Sequence, residues 1–296
     1  MNEQLELFEL ETSHEQKIPS EAKPTCNTVR VQAKTVFGYG TPRPIKFRNF
    51  KKIKGVDRHM LFGKYFKTSD IVEIAGVQGG GKSYLLYRVI KAICTGGEFI
   101  GQNCPTPQSV LLLDGELPID DVNERFDNIL VHSSIDERSL FDENFSIINR
   151  EFSGGLMHDL CKLRPTDQLF KDMLKFDVVV VVVVVVVDSL KTNTFGSNIS
   201  SADEISKLLE VFLLLKAHGI TVIYVNHFTK GSIILGSVDF DIINDVTISF
   251  SKDEKKGLGV RKLEIVKGRG LSDEDKQAAY FTFHPNQPGT PFIKVS

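Results

Sequence analysis

Short apolar runs alternate with longer mixed segments along the chain between residues 71 and 225. Such runs predict buried strands, and the segments between them predict helices. After Asp245 the pattern changes to short strands separated by turn residues. The predicted strands span residues 71–75, 109–114, 145–149, 178–187, 221–225, 246–251, 262–266 and 280–283, and the predicted helices span residues 83–95, 118–130, 167–174 and 202–218. This alternation predicts an α/β fold, with a mostly parallel central sheet flanked by helices and short antiparallel C-terminal strands.

One predicted strand is longer than a core strand needs to be. Residues 178–187 are ten consecutive valines between Asp177 and Asp188. Ten extended residues cover about 33 Å, whereas a usual strand covers roughly 17 to 20 Å. We interpret the run as one buried strand that leads into Asp188.

Charge and composition divide the 296 residues into three segments. Residues 1–28 begin with an acidic stretch and are expected to form a disordered or mobile arm, or a short amphipathic helix over about the first 20 residues. Residues 68–296 are expected to form the main domain. Residues 29–67 are basic and contain aromatic side chains. That basic segment could bind nucleic acid by charge and stacking, or it could be a linker whose aromatic residues pack on the domain or on a neighbouring subunit. The formal net charge of -2 does not by itself require a polyanionic partner.

The cysteines and the apolar runs indicate the cellular compartment in which the protein is expected. The four cysteines are widely scattered, without a C-x-x-C pair, which is typical of free thiols in a reducing cytosol. The N-terminus lacks a basic segment followed by an apolar core, and no apolar run approaches the roughly 20 residues of a membrane-spanning helix. We therefore expect a cytoplasmic protein without a membrane partner.

The clearest chemical signal is the sequence GVQGGGKS at residues 76–83, between a predicted strand and a predicted helix. This is the setting of a P-loop, because glycines let the backbone curl around a phosphate while the amide N–H groups and positive end of the helix face the anion. Lys82 would reach the β and γ phosphates, and the Ser83 hydroxyl would hold Mg²⁺. A glycine-rich turn at a strand end would leave Lys82 unexplained. The candidate nucleotide-binding residues are Gly76, Gly79, Gly80, Gly81, Lys82, Ser83 and Tyr84.

Two acidic residues follow predicted strands at the edge of the sheet where open α/β sheets bind ligands. Asp188 follows the valine strand and fits the role of the Walker B acid, the second ligand of Mg²⁺, although an aspartate before Ser189 could also simply form a turn. Glu116 follows the strand at residues 109–114. It could orient and deprotonate an attacking water, or it could merely start the next helix.

His227 lies two residues beyond the predicted strand 221–225. It is positioned to sense the γ phosphate, although a lone histidine there could also be a satisfied strand-end residue. The chain contains no Asn-Lys-x-Asp sequence for guanine recognition, so ATP is favoured over GTP.

These motifs occur in the order seen in RecA-like ATPases: the P-loop, the LLLDGE strand end at residues 111–116, Asp188, the strand ending at His227, and KGR at residues 267–269. Over residues 60–285 the chain resembles the RepA-type plasmid replicative helicases and their AAA-family relatives. The resemblance implies a RecA-like P-loop core that assembles into a ring, usually a hexamer, with ATP and Mg²⁺ bound between subunits.

The resemblance also implies roles for individual residues. Glu116 would activate water, and Lys267 and Arg269 would form the K-x-R pair that reaches into the neighbouring subunit's site. From the residues alone, the same pair could be a solvated basic turn that closes a hairpin. The loops at residues 191–198 and 229–236 would line the channel of the ring and contact single-stranded DNA. The overlong valine run and the basic segment depart from the family pattern.

Three functions share this nucleotide site. The first is a ring-forming ATPase that moves along single-stranded DNA and unwinds duplexes as a replicative helicase of plasmid or phage type. The second is an ATP-dependent switch or recombination mediator that assembles on DNA without unwinding it. A small-molecule kinase is the weakest of the three, because no separate lid for an acceptor is evident and Glu116 suits water activation.

Overall fold

The computed structural model describes residues 44–181, 202–227, 237–285, 287–289 and 291–295. Within these ranges, a nine-stranded mixed sheet carries helices on both faces. The helices are α1 (Phe47–Phe50), α2 (Lys82–Thr95), α3 (Ile119–Leu130), α4 (Ile135–Asn144), α5 (Gln168–Met173), α6 (Ala202–Ala217) and α7 (Ser237–Ile243), with a 3-10 helix at Leu160–Lys162. The strands are β1 (Met60–Phe62), β2 (Phe66–Lys67), β3 (Ile71–Gly76), β4 (Glu98–Phe99), β5 (Gln102–Asn103), β6 (Val110–Asp114), β7 (Phe145–Asn149), β8 (Val178–Val181), β9 (Thr221–His227), β10 (Val246–Lys252), β11 (Val260–Gly268), β12 (Ala279–Phe283) and β13 (Phe292–Lys294).

The order of strands in the large sheet is β13-β12-β11-β10-β3-β9-β8-β6-β7. Strands β10, β3, β9, β8, β6 and β7 are parallel to their neighbours in that group, whereas β11, β12 and β13 are added in antiparallel fashion. Parallel strands place their carboxyl ends at one edge, where ligands bind in open α/β sheets. The predicted fold class is confirmed, and the antiparallel part begins at β11.

Side-chain alternation along the central strand β3 divides the core into two layers. Val72 and Ile74 pack with α2, α3 and α4 on one face, and Ile71 packs with α5, α6 and α7 on the other. Every residue of β3 is buried. Each fully buried aliphatic side chain contributes about 1.5 to 3 kcal/mol, so the helices on both faces hold the strand that leads into the glycine-rich loop.

The structure also contains elements that the hydrophobic pattern does not predict. Helix α4 buries only Phe141, and its start is fixed by a capping box in which Ser134 and Glu137 exchange side-chain and backbone hydrogen bonds. Helix α7 and the two-stranded sheets β1–β2 and β4–β5 are too short to give a clear pattern. Of the valine run, the first four residues form β8 between β6 and β9. Residues 182–201 lie outside the described ranges.

The described part of the basic segment, residues 44–67, contains two kinds of aromatic residue. Phe62, Tyr65 and Phe66 are buried in the core beside α2. Phe47 and Phe50, in contrast, are 68% and 57% exposed on α1. The part of the segment near β1 and β2 therefore belongs to the domain core, and the part around α1 presents aromatic side chains to solvent.

A buried carboxylate joins three adjacent strands. Glu73, in the middle of β3, is 1% exposed and accepts hydrogen bonds from the side-chain amides of Asn226 (2.7 Å) and Asn244 (2.9 Å). The Thr247 hydroxyl also donates to Glu73, and the Tyr224 hydroxyl donates to Asn244. Burial raises the pKa of Glu73, and the donors oppose that shift. The cluster thus fixes β9 and β10 against β3 just before the loop.

Replacing Glu73 with alanine should destabilise the fold. Glu73→Ala leaves the buried amides of Asn226 and Asn244 without their acceptor, which should lower the free energy of unfolding by about 3 kcal/mol or more. Urea unfolding followed by circular dichroism measures this loss. Glu98→Ala, which removes an exposed carboxylate from β4, is the matched control and should leave the midpoint unchanged. Equal midpoints for the two variants would show that the cluster does not hold the strands together.

Candidate functional site

The chain leaves the sheet at Gly76 and enters α2 at Lys82, with residues 77–81 forming the loop between them. A Cβ atom on Gly76 would lie 2.0 Å from the backbone oxygen of Phe250, so this position accepts only glycine. Gly81 has a φ of 95°, and a Cβ there would lie 3.0 Å from the Phe283 ring. The glycines of the loop therefore serve close packing as well as backbone freedom.

Lys82 points back into this loop. Its side chain is buried, and its ammonium group donates to the backbone oxygens of Gly76 (2.9 Å) and Val77 (2.7 Å). Burial lowers the pKa of Lys82 to about 8, and the negative charge of Glu116 acts in the opposite direction. A phosphate in the loop would favour the charged form of Lys82, so the residues present fit an anionic group.

Asp114, at the end of β6, is buried and organises the segment that follows. One carboxylate oxygen accepts the backbone N–H groups of Glu116 (2.9 Å) and Leu117 (3.1 Å), and the other accepts the hydroxyl of Tyr87 (3.2 Å) from α2. This Asx turn fixes the backbone of Glu116 next to the helix that begins at the loop. Sequence reasoning singled out Glu116 and missed Asp114, although an aspartate followed by glycine at a strand end is a signal for such a turn.

Glu116 lies at the same edge of the sheet as Lys82. Although Glu116 is an exposed residue, partial removal of its carboxyl group from water raises its pKa, and the charge of Asp114 adds to that shift. The positive charges of Lys82 and Arg125 lower it. A carboxylate with a raised pKa near a lysine with a lowered pKa is typical of sites that bind anions and move protons.

Strand β9 brings His227 to the same place in the sheet. The strand register pairs His227 with Gly76 and Asn226 with Ala75. The backbone of His227 therefore lies beside the first glycine of the loop. Asp188 and the loops at residues 191–198 and 229–236 lie outside the described ranges.

Lys267 and Arg269 lie at the opposite edge of the sheet from the loop. The register pairs Gly268 with Val246, which in turn pairs with Val72 near the start of β3. The Lys267 ammonium donates to the backbone oxygen of Asp241 in α7. Arg269 donates to the backbone oxygen of Ile242 (2.8 Å), and its side chain is 54% exposed. Neither residue joins the cluster around its own chain's loop.

The antiparallel strands supply residues at the loop that sequence reasoning missed. Arg261, in β11, donates from Nε to the backbone oxygen of Gly80 (2.8 Å). The Phe283 ring, from β12, meets the Tyr84 ring edge-on, with 5.4 Å between the ring centres. On α3, Arg125 lies over the Tyr84 ring at 4.9 Å from its centre. No local sequence pattern predicts these contacts, because β11 and β12 are distant from the loop in the chain.

Comparison with known proteins gives both a family and a fold. Residues 46–232 match a family described as the AAA domain. A solved KaiC-like protein from the hyperthermophilic archaeon Pyrococcus horikoshii is similar with a TM-score of 0.52 and 15% identity, over 78% of this chain and 91% of that one. No curated protein matches the chain.

Two further solved structures are similar at lower scores. The flagellar accessory protein FlaH from Methanocaldococcus jannaschii has a TM-score of 0.49 and 12% identity, over 77% of this chain and 90% of that one. The RadB recombinase has a TM-score of 0.48 and 17% identity, over 77% of this chain and 92% of that one.

The family match includes the glycine-rich loop, Glu116 and β9, and it covers more than half of the chain. At 15% identity, the likeness to the KaiC-like protein shows the fold. Among the described residues, no helix has the length and apolar character needed to cross a membrane. The chain belongs to the AAA domain family, and it is a P-loop ATPase with a RecA-like core.

Proposed function

We propose that the protein is a ring-forming ATPase that moves along single-stranded DNA and separates duplex strands, as a replicative helicase of plasmid or phage type does. The observation that carries the proposal is that the P-loop lysine Lys82 and Glu116 lie at one edge of a RecA-like sheet, where the charge of each shifts the pKa of the other, while Lys267 and Arg269 lie at the other edge. Lys267 and Arg269 do not reach their own chain's loop from there, so a role for them at a phosphate site requires a second copy of the chain.

ATP and Mg²⁺ fit the residues of the loop. The loop amides and Lys82 would hold the phosphates, and Ser83 and Asp188 would hold Mg²⁺, which neutralises charge on the phosphate oxygens when it is bound. Glu116 would orient and deprotonate the attacking water. Its raised pKa makes it a stronger base than an ordinary carboxylate once it is ionised. His227 would sense the γ phosphate from the end of β9.

DNA binding is supported by the exposed aromatic and basic residues around α1. Phe47 and Phe50 are exposed, and the cations Lys46, Arg48 and Lys51 lie beside them in the chain. Aromatic rings stack on bases, and lysine and arginine neutralise backbone phosphates, so such a segment suits a single strand of any sequence. The loops at residues 191–198 and 229–236 would supply further contacts inside the ring.

Substitutions at the phosphate site should separate binding from hydrolysis. Lys82→Ala removes the cation that faces the phosphates, so we expect weak ATP binding and no turnover. Glu116→Gln keeps the size of the side chain but removes the base, so we expect normal ATP binding and turnover lowered by about 100-fold or more. Equilibrium titration with ATP and a phosphate-release assay measure the two effects.

Glu124→Gln is the matched control for Glu116→Gln, because Glu124 is an exposed glutamate on α3. It should hydrolyse ATP like the unaltered protein. Turnover in Glu116→Gln equal to that of the control would move the catalytic role to another residue.

Arg269 should act on the site of a neighbouring subunit. Its cation would neutralise charge that develops on the transferred phosphoryl group, an effect that can reach about 10³-fold or more in rate. Arg269→Ala should therefore bind ATP and assemble normally but hydrolyse ATP poorly. When it is mixed with Lys82→Ala, some interfaces pair an intact P-loop with an intact Arg269, so ATPase activity should exceed the sum of the separate proteins.

Lys255→Ala is the control for the loss of an exposed cation, since Lys255 lies in the turn at the other end of the β10–β11 hairpin. It should keep full activity. Circular dichroism should show that Arg269→Ala is folded, because Arg269 also contacts Ile242 and Asp245. Subunit exchange without any recovery of activity would rule out action in trans.

Strand displacement tests the proposed function directly. We expect single-stranded DNA to stimulate ATP hydrolysis, and we expect the protein to release a labelled strand from a forked duplex only when ATP is hydrolysed. Lys82→Ala is the control and should release none. ATP-dependent DNA binding without strand release would instead identify a switch or recombination mediator, and a phosphorylated small-molecule product would identify a kinase.

A further inference from the structure

Strand β11 begins directly beside the P-loop. Because β11 runs antiparallel to β10, its residue Arg261 pairs with Lys252, beyond the point where β10 leaves β3. The Arg261 side chain is 8% exposed, and its Nε atom donates to the Gly80 backbone oxygen at 2.8 Å. Its Nη1 atom donates to the Val260 backbone oxygen at 3.3 Å. Two hydrogen bonds thus orient a buried guanidinium against the loop.

Phe283 fixes the guanidinium from the other side. The Arg261 guanidinium lies over the Phe283 ring at 5.2 Å from its centre, and Phe292 stacks on that ring at 5.0 Å. The same ring occupies the space next to Gly81. Arginine over an aromatic face is attractive and restricts the guanidinium to one plane. Arg261 is therefore held in place by groups outside the loop that it contacts.

The charge of Arg261 has no carboxylate partner among the ion pairs of the described residues. Burial lowers its pKa from the usual value. A buried cation without a counter-charge is unfavourable, and an anion bound nearby relieves that cost. The anion site beside Arg261 is the loop at residues 77–81.

The peptide bond between Gly80 and Gly81 connects this contact to the phosphate site. No described peptide bond is cis, and in a trans peptide the C=O of one residue and the N–H of the next point in opposite directions. When Arg261 holds the Gly80 oxygen toward β11, the Gly81 N–H is turned away from β11. A glycine-rich loop without such an anchor would lose this orientation easily, because glycine has the least restricted backbone.

We propose that Arg261 is a positioning residue for the polyphosphate of the nucleotide: by anchoring the Gly80 carbonyl, it aims the Gly81 amide at the phosphates and supplies positive charge behind them. This inference rests on the ATP site of the proposed function, and it does not depend on the DNA partner. It predicts that Arg261 governs affinity for the phosphate chain rather than the rate at saturating ATP.

The test uses Glu116→Gln as the parent protein, since that variant should bind ATP without consuming it. Adding Arg261→Met removes the charge and the donors but keeps an unbranched apolar side chain of similar length. We expect the dissociation constant for ATP to rise about tenfold to a hundredfold, as it does when a hydrogen bond from a charged group is lost. Inorganic tripolyphosphate, used as a competitor, should lose affinity by the same factor, because the contact acts on the phosphates and not on the base.

Lys262→Met in the same parent is the matched control. Lys262 is the next residue in β11 and forms an ion pair with Glu264, away from the loop. It should leave the affinities for ATP and tripolyphosphate unchanged. In the otherwise unaltered protein, Arg261→Met should raise KM for ATP by the same factor as the dissociation constant, with kcat changed by less than about threefold.

Arg261→Lys keeps the positive charge but not the planar fork, so it should give an intermediate affinity. If Arg261→Met fails to fold, as judged by thermal unfolding without nucleotide, the ATP and tripolyphosphate affinities of Arg261→Lys test the inference instead. If the folded Arg261 variants bind ATP and tripolyphosphate as tightly as the parent, the inference is wrong. If the parent itself does not bind ATP, the proposed nucleotide site fails instead.

Discussion

The parallel pairing of β3 with β9 and β10 is the constraint on which the rest of the structure depends. It sets Gly76 beside His227 and Ala75 beside Ser249, and so it brings three chain segments to one edge of the sheet. Glu73 secures that register from inside the core, because a strand shifted by one residue would turn the carboxylate away from its donors. This register fixes the position of Gly76 and therefore the direction in which the glycine-rich loop leaves β3.

The electrostatics of the site follow from this arrangement. Lys82 and Arg261 are both removed from water beside the same loop, and burial lowers the pKa of each. Positive charge concentrated in a poorly hydrated place is unfavourable until an anion arrives. The surrounding strands and helices hold these two cations beside the loop, and an anion bound there would offset the cost of their burial.

Local sequence predicts the strand, glycine loop and helix at residues 71–95, because their signals are adjacent in the chain. It does not predict the contact between Arg261 and Gly80, which are 181 residues apart and meet only through the order of strands. The continuous valine run likewise has no alternation of polar and apolar residues, so the sequence does not predict where β8 begins and ends. Composition also could not distinguish Phe62, which is buried, from Phe47, which is exposed, since both lie in one basic segment.

The two ends of strand β11 lie at opposite edges of the sheet. Arg261 lies at the end near its own chain's loop, and Lys267 lies six residues farther on, about 20 Å away at roughly 3.4 Å per residue. Strand β10 pairs with it from Arg261 to Gly268, and β12 pairs with its first half, so neighbouring strands hold β11 in the sheet along its length. In the proposed ring, a shift of the loop on nucleotide binding would displace Lys267, one of the two residues proposed to contact the adjacent subunit. Nucleotide binding at one site of the proposed ring would then be transmitted along β11 to the next site.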